Sequence, residues 1–146
     1  TPTAPPTKDS VPPPAHIIKT ENFRGVIFSA EQVAAGPYWP NGKHPWTPSE
    51  ADIITLEEQL AAYLQEPYPE IWRKMAGYTR QYWGTVTKDR DRAIYANFFC
   101  DDHGKISEYD WQNNLVQIED GGDCYFQTLY DVENGRFEWL IINGES

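Results

Sequence analysis

The order of elements predicts an α+β fold, with one N-terminal helix packed across a four-stranded antiparallel sheet. Three observations carry this expectation. One stretch, 48–65, repeats apolar residues at helical spacing. Four later stretches are rich in aromatic and β-branched residues, as strands are. Two pairs of those stretches are joined by short polar or Asn-Gly links, which suit antiparallel neighbours.

The helix has a start signal with a physical cause. In Thr47-Pro48-Ser49-Glu50 the Thr47 hydroxyl can accept from the Glu50 amide, and the Glu50 carboxylate can reach back to the Thr47 amide. Pro48 then occupies the first helical position, where no donor is missed. Ile53, Leu56, Leu60, Tyr63 and Leu64 follow at helical spacing, and Pro67 and Pro69 stop the helix by about residue 66.

Residues 78–87 and 92–100 read as two strands of a hairpin around the polar turn Lys88-Asp89-Arg90-Asp91. Residues 124–131 and 136–142 read as a second pair, with Asn134-Gly135 favouring a type I′ turn. Weaker strand signals lie in 24–33, around Val26-Ile27-Phe28, and in 114–118. Ile94, Phe98 and Phe126 alternate with Tyr95, Phe99 and Tyr125, so both faces of the sheet need cover. The helix covers one face, and residues 16–46 are expected to cover the other. This order of elements is similar to the cystatin-like arrangement, a likeness of architecture that carries no function by itself.

The chain has 146 residues, enough for one hydrophobic core. Residues 1–15 form a proline-rich leader, with six of the twelve prolines in the first fourteen positions. Proline favours a semi-rigid, extended spacer, so the leader reads as a tether or as a frayed end. Residues 16–146 read as a single α+β domain. The first residue is Thr1, and no apolar run approaches the length of a membrane span. Attachment to a membrane through a processed N-terminus stays open.

The formal net charge is −10. Such a field repels phosphate backbones, so nucleic acid is a poor partner and a basic protein or cation a better one. Cys100 ends one expected strand and Cys124 begins the next. Antiparallel pairing sets them opposite each other, with Phe98 against Phe126 and Ala96 against Thr128. A disulfide there fits an oxidising compartment. The alternative is two reduced thiols packed as small apolar residues.

Pairing of the cysteines gathers Asp101, Asp102, His103, Glu119, Asp120 and Asp123 at one rim of the sheet. Close carboxylates there favour a cation or a basic partner, or else splay into water. They also offer carboxyl pairs for hydrolysis, although no spacing selects one pair from 22 acids. Tyr38, Trp39 and Trp46, in a Pro/Gly/Asn-rich loop, form a candidate aromatic binding surface. Neither a GxSxG nucleophile elbow nor a phosphate-binding GxxxxGK[ST] loop occurs, so no catalytic residue and no cofactor is assigned.

The segments 78–84 (YTRQYWG), 96–100 (ANFFC) and 120–126 (DGGDCYF) resemble those of small exported bacterial proteins. The resemblance implies export and a disulfide, and it carries over no functional residue. The expected function is a non-enzymatic extracytoplasmic binding or accessory module that recognises a protein. A structural subunit of a surface assembly and a hydrolase using the acidic rim are the alternatives.

Overall fold

The computed structural model describes residues 15–36, 39–100, 106–118 and 122–142. Among them, six strands form one sheet in chain order: β1 (His16–Lys19), β2 (Arg24–Phe28), β3 (Tyr78–Val86), β4 (Arg92–Cys100), β5 (Tyr125–Asp131) and β6 (Arg136–Ile142). All neighbours are antiparallel except β2 and β3, which are parallel. The helices are α1 (Ala30–Ala35), α2 (Glu50–Leu64), α3 (Pro69–Arg73) and α4 (Glu108–Asn113).

This corrects the expectation of one N-terminal helix on a four-stranded antiparallel sheet, and with it the cystatin-like order. The sheet is mixed, and two strands precede the long helix. A parallel pair needs a long crossover, which α1, α2 and α3 supply between β2 and β3. The two added strands are short: β1, unforeseen, is four residues, and β2, within the weak strand signal at 24–33, is five. A period-2 pattern over so few residues is weak.

The long helix stands where its periodicity put it, but its cap is shifted. Ser49, not Thr47, is the N-cap: its hydroxyl accepts from the Asp52 amide (3.1 Å), and Asp52 accepts from the Ser49 amide (2.9 Å). The Thr47 hydroxyl instead accepts from the Ala30 amide (2.9 Å), tying this segment to the start of α1. Two overlapping capping frames compete here, and the second wins because Thr47 is engaged elsewhere.

The β5–β6 link also departs from a type I′ turn. Asp131 accepts from the amides of Glu133 and Asn134 (both 3.0 Å), its carbonyl accepts from the Gly135 amide, and Gly135 has φ 64° while Asn134 is not left-handed. The Asp131 carboxylate thus holds a four-residue loop in place of a two-residue turn. Residues 114–118 form no strand.

Both faces of the sheet are buried, as the alternation required. On one face Ile53, Leu56, Leu60 and Leu64 of α2 pack on Ile27, Tyr82, Ile94, Phe98, Phe126 and Tyr130. On the other, Phe28, Trp83, Tyr95, Phe99, Tyr125 and Leu129 lie under Val33 of α1, Trp39, Trp111 of α4 and Val116. The cover of this second face therefore differs from expectation: residues 16–28 largely extend the sheet, and part of the cover comes from 106–118. A buried amide ladder fixes that later segment. Gln81 donates to the carbonyls of Trp111 (2.8 Å) and Asn114 (2.6 Å), Asn97 donates to Gln81 (2.9 Å) and to the Val116 carbonyl (2.9 Å), and Gln127 donates to Asn97 (3.0 Å). Buried amides left unpaired would be costly, so the ladder positions the chain that satisfies it.

Candidate functional site

The β1–β2 turn, α2 and the start of β3 enclose a groove of about 470 Å³. The turn is set by Thr20, whose hydroxyl accepts from the amides of Asn22 and Phe23 (both 3.1 Å). It presents Phe23 to one wall. Helix α2 presents Ile54, Glu58 and Ala61 at successive turns to another, and Met75 closes an end. Ile54 is 40% exposed, so this wall is an apolar surface open to water.

The floor is ionic and buried. Arg80 of β3 forms a two-pronged pair with Glu57 of α2, Nη2 to Oε1 at 2.9 Å and Nε to Oε2 at 3.1 Å. Arg80 also donates to the carbonyls of Met75 and Tyr78 (both 2.8 Å), and the Tyr82 hydroxyl donates to Glu57 (2.6 Å). The guanidinium lies between the rings of Phe23 and Phe98, 5.0 and 5.1 Å from their centroids. Burial opposes the Arg80 charge, but the Glu57 carboxylate outweighs it and the pKa rises. Burial, reinforced by Glu57, pushes the Tyr82 phenol well above its usual range. These groups are committed to each other, so the floor is rigid and its charges cancel. The exposed ionisable groups lining the groove, Glu21 and Glu58, are both acids.

Glu57 and Arg80 were not singled out from the sequence, although a signal existed. Glu57 falls beside Ile53, Leu56, Leu60 and Leu64 on the buried stripe of α2. Arg80 shares strand parity with Tyr78 and Tyr82.

Of the expected acidic rim, Asp101, Asp102, His103, Glu119 and Asp120 lie outside the described residues. Asp123 pairs with Lys74 (2.9 Å), and its carbonyl accepts from the Tyr78 hydroxyl (2.5 Å). That hydrogen-bonded carboxylate raises the Lys74 pKa. No cluster of three or more metal-binding side chains occurs among the described residues. The β4–β5 register matches expectation, with Phe98 opposite Phe126 and Ala96 opposite Thr128. Cys100 and Cys124 lie one step beyond its last pair, Phe99 and Tyr125, and their sulfurs are not at bonding distance.

Of the expected aromatic surface, Tyr38 lies outside the described residues. Trp39 is half-buried against Phe28 and Trp83, at centroid distances of 4.8 and 5.1 Å. Trp46 donates to the carbonyls of Thr85 (2.7 Å) and Ala93 (3.1 Å), under the Arg92 guanidinium.

Comparison with known proteins leaves the site to its geometry: no family model matches the chain, and no curated protein or solved structure does either. Among the described residues no helix is long and apolar enough to cross a membrane.

Proposed function

We propose that this chain is a non-enzymatic binding module that receives an apolar, positively charged segment of a protein partner in the groove beside α2. The observation that carries the reading is the groove's division of labour. Its floor is a closed ion pair, its walls are apolar, and its exposed rim charges are negative. A volume of about 470 Å³ suits a few side chains. Glu21 and Glu58, on a molecule of net charge −10, favour a partner bearing Lys or Arg beside its apolar anchors.

The test uses defined probes. A synthetic peptide alternating Leu and Lys should bind the protein, and its counterpart with Glu for Lys should not. Ile54→Ser should weaken binding roughly tenfold through lost apolar contact, and Glu58→Lys should weaken it and flatten its salt dependence. Equal binding of both peptides, or unchanged affinity in both folded variants, would overturn the reading.

The setting we propose is extracytoplasmic, and its support is the cysteine pair. The β4–β5 pairing ends at Phe99 and Tyr125, and Cys100 and Cys124 are the next residues on the two strands' chains, which supports a pairing of their thiols. Oxidation would join the two thiols and pass two electrons and two protons to an oxidant such as a second disulfide. Protein recovered from an oxidising compartment should then be lighter by two hydrogens than its reduced form, and more stable by about 3 kcal/mol in the chain-entropy model. Two titratable thiols in such protein would remove the support for export.

A further inference from the structure

A second concavity, of about 340 Å³, lies between the 41–44 loop and the turn joining β3 to β4. Lys43, His44, Lys88 and Arg90 line it, and no acid does. The two acids of the same turn are Asp89 and Asp91; Asp91 accepts from Asn134 Nδ2 (3.0 Å), and neither lines the cavity. So three of the chain's twelve Lys and Arg residues gather at one spot of a molecule with net charge −10.

The backbone supplies the second observation. Asn41, His44 and Arg90 have φ of 53°, 49° and 70°, and they are the left-handed non-glycine residues among those described. All three line this cavity. Asn and His tolerate that region better than most, but Arg does not. Arg90 follows a tight turn in which the Thr87 hydroxyl accepts from the amides of Asp89 and Asp91 (both 3.2 Å) and the Thr87 carbonyl accepts from the Arg90 amide (2.9 Å). Glycine is the favoured residue there. Holding arginine in its place keeps a cation at the rim against the local conformational preference, and such strain collects at functional positions.

The scaffold behind the cavity is firm. Trp83 donates to the Pro40 carbonyl (3.0 Å), and the Thr85 hydroxyl contacts the carbonyls of Asn41 and Lys43. Gly84 lets the loop close in, because a Cβ there would meet the Trp46 carbonyl oxygen at 2.1 Å.

We infer that this cavity binds the phosphate group of a small phosphorylated metabolite. Two lysines and an arginine match a dianion better than a single carboxylate, and arginine can grip two phosphate oxygens at once. The volume exceeds one phosphate group and leaves room for a short carbon body. The inference is independent of the α2 groove: Arg80 and Val86, which line the two sites, are six residues apart along β3, about 20 Å at the usual rise per residue.

Amide chemical shifts of the intact protein would be followed during titration with inorganic phosphate, glycerol phosphate and glycerol. The two phosphates should move amides at 41–44 and 85–90 in a saturable, salt-sensitive way, and glycerol should not. Arg90→Gly should weaken binding roughly tenfold while raising the melting temperature, because it removes the cation and the strain together. Lys43→Met should weaken binding without that thermal gain. Absence of saturable shifts at millimolar phosphate would overturn the proposal. So would unchanged phosphate affinity in both variants.

Discussion

Glu57 and Arg80 show how a charged pair survives inside an apolar core. Each side chain is nearly lost to solvent, and each spends its hydrogen bonds on the other, on Tyr82 or on carbonyls of Met75 and Tyr78. Removing one partner leaves a buried charge unanswered. Glu57→Gln should therefore cost about 3–5 kcal/mol by urea unfolding, while the double change Glu57→Leu with Arg80→Met should recover most of that loss. A single-variant cost under about 1 kcal/mol would mean that water reaches the pair. The tyrosines set a second limit. Burial raises the phenols of Tyr78 and Tyr82, with the Cys100 charge adding next for Tyr78 and Glu57 for Tyr82. A raised folded-state pKa gives stability that is fully present below the unfolded value of 10.0 and is lost as pH climbs past it. Unfolding midpoints should be flat from neutral pH to about 9 and fall above 10, together with the appearance of phenolate absorbance.

At the level of elements, β3, β4, β5 and β6 and the long helix were legible, because each carries a long run with one period. What escaped detection was short or depended on distant partners. Helix α1 has a full capping box, Ser29 with Gln32, but only six residues to display periodicity. Helix α4 is also six residues, and it is held by Gln81, more than two dozen positions earlier. The parallel β2–β3 pairing has no local signal, since its register is fixed by contacts across more than fifty residues. The groove was invisible for the same reason: Phe23, Ile54 and Met75 meet only once β1 and β2 join the sheet. The amide ladder makes a prediction at this scale. Gln81→Leu should destabilise the fold by about 1–3 kcal/mol and raise hydrogen exchange across 111–118 more than in β4. Uniform loss of protection would show that the ladder positions nothing in particular.

For the whole molecule, a sheet buried on both faces leaves little freedom for a site in its middle. The two proposed sites lie at the margins of β3: the groove at its start and the cationic cavity at its end. The two differ in sign, the first rimmed by acids and the second by bases. They should respond separately to ligands and to mutation, so Glu58→Lys should leave phosphate shifts at 41–44 unchanged, and Arg90→Gly should leave peptide affinity unchanged. Amide shift mapping with the Leu–Lys peptide is the decisive measurement for the groove. Binding there should perturb amides clustered in 20–23, 54–61 and around Met75. Perturbations scattered over the acidic surface, or confined to another face of the molecule, would contradict it.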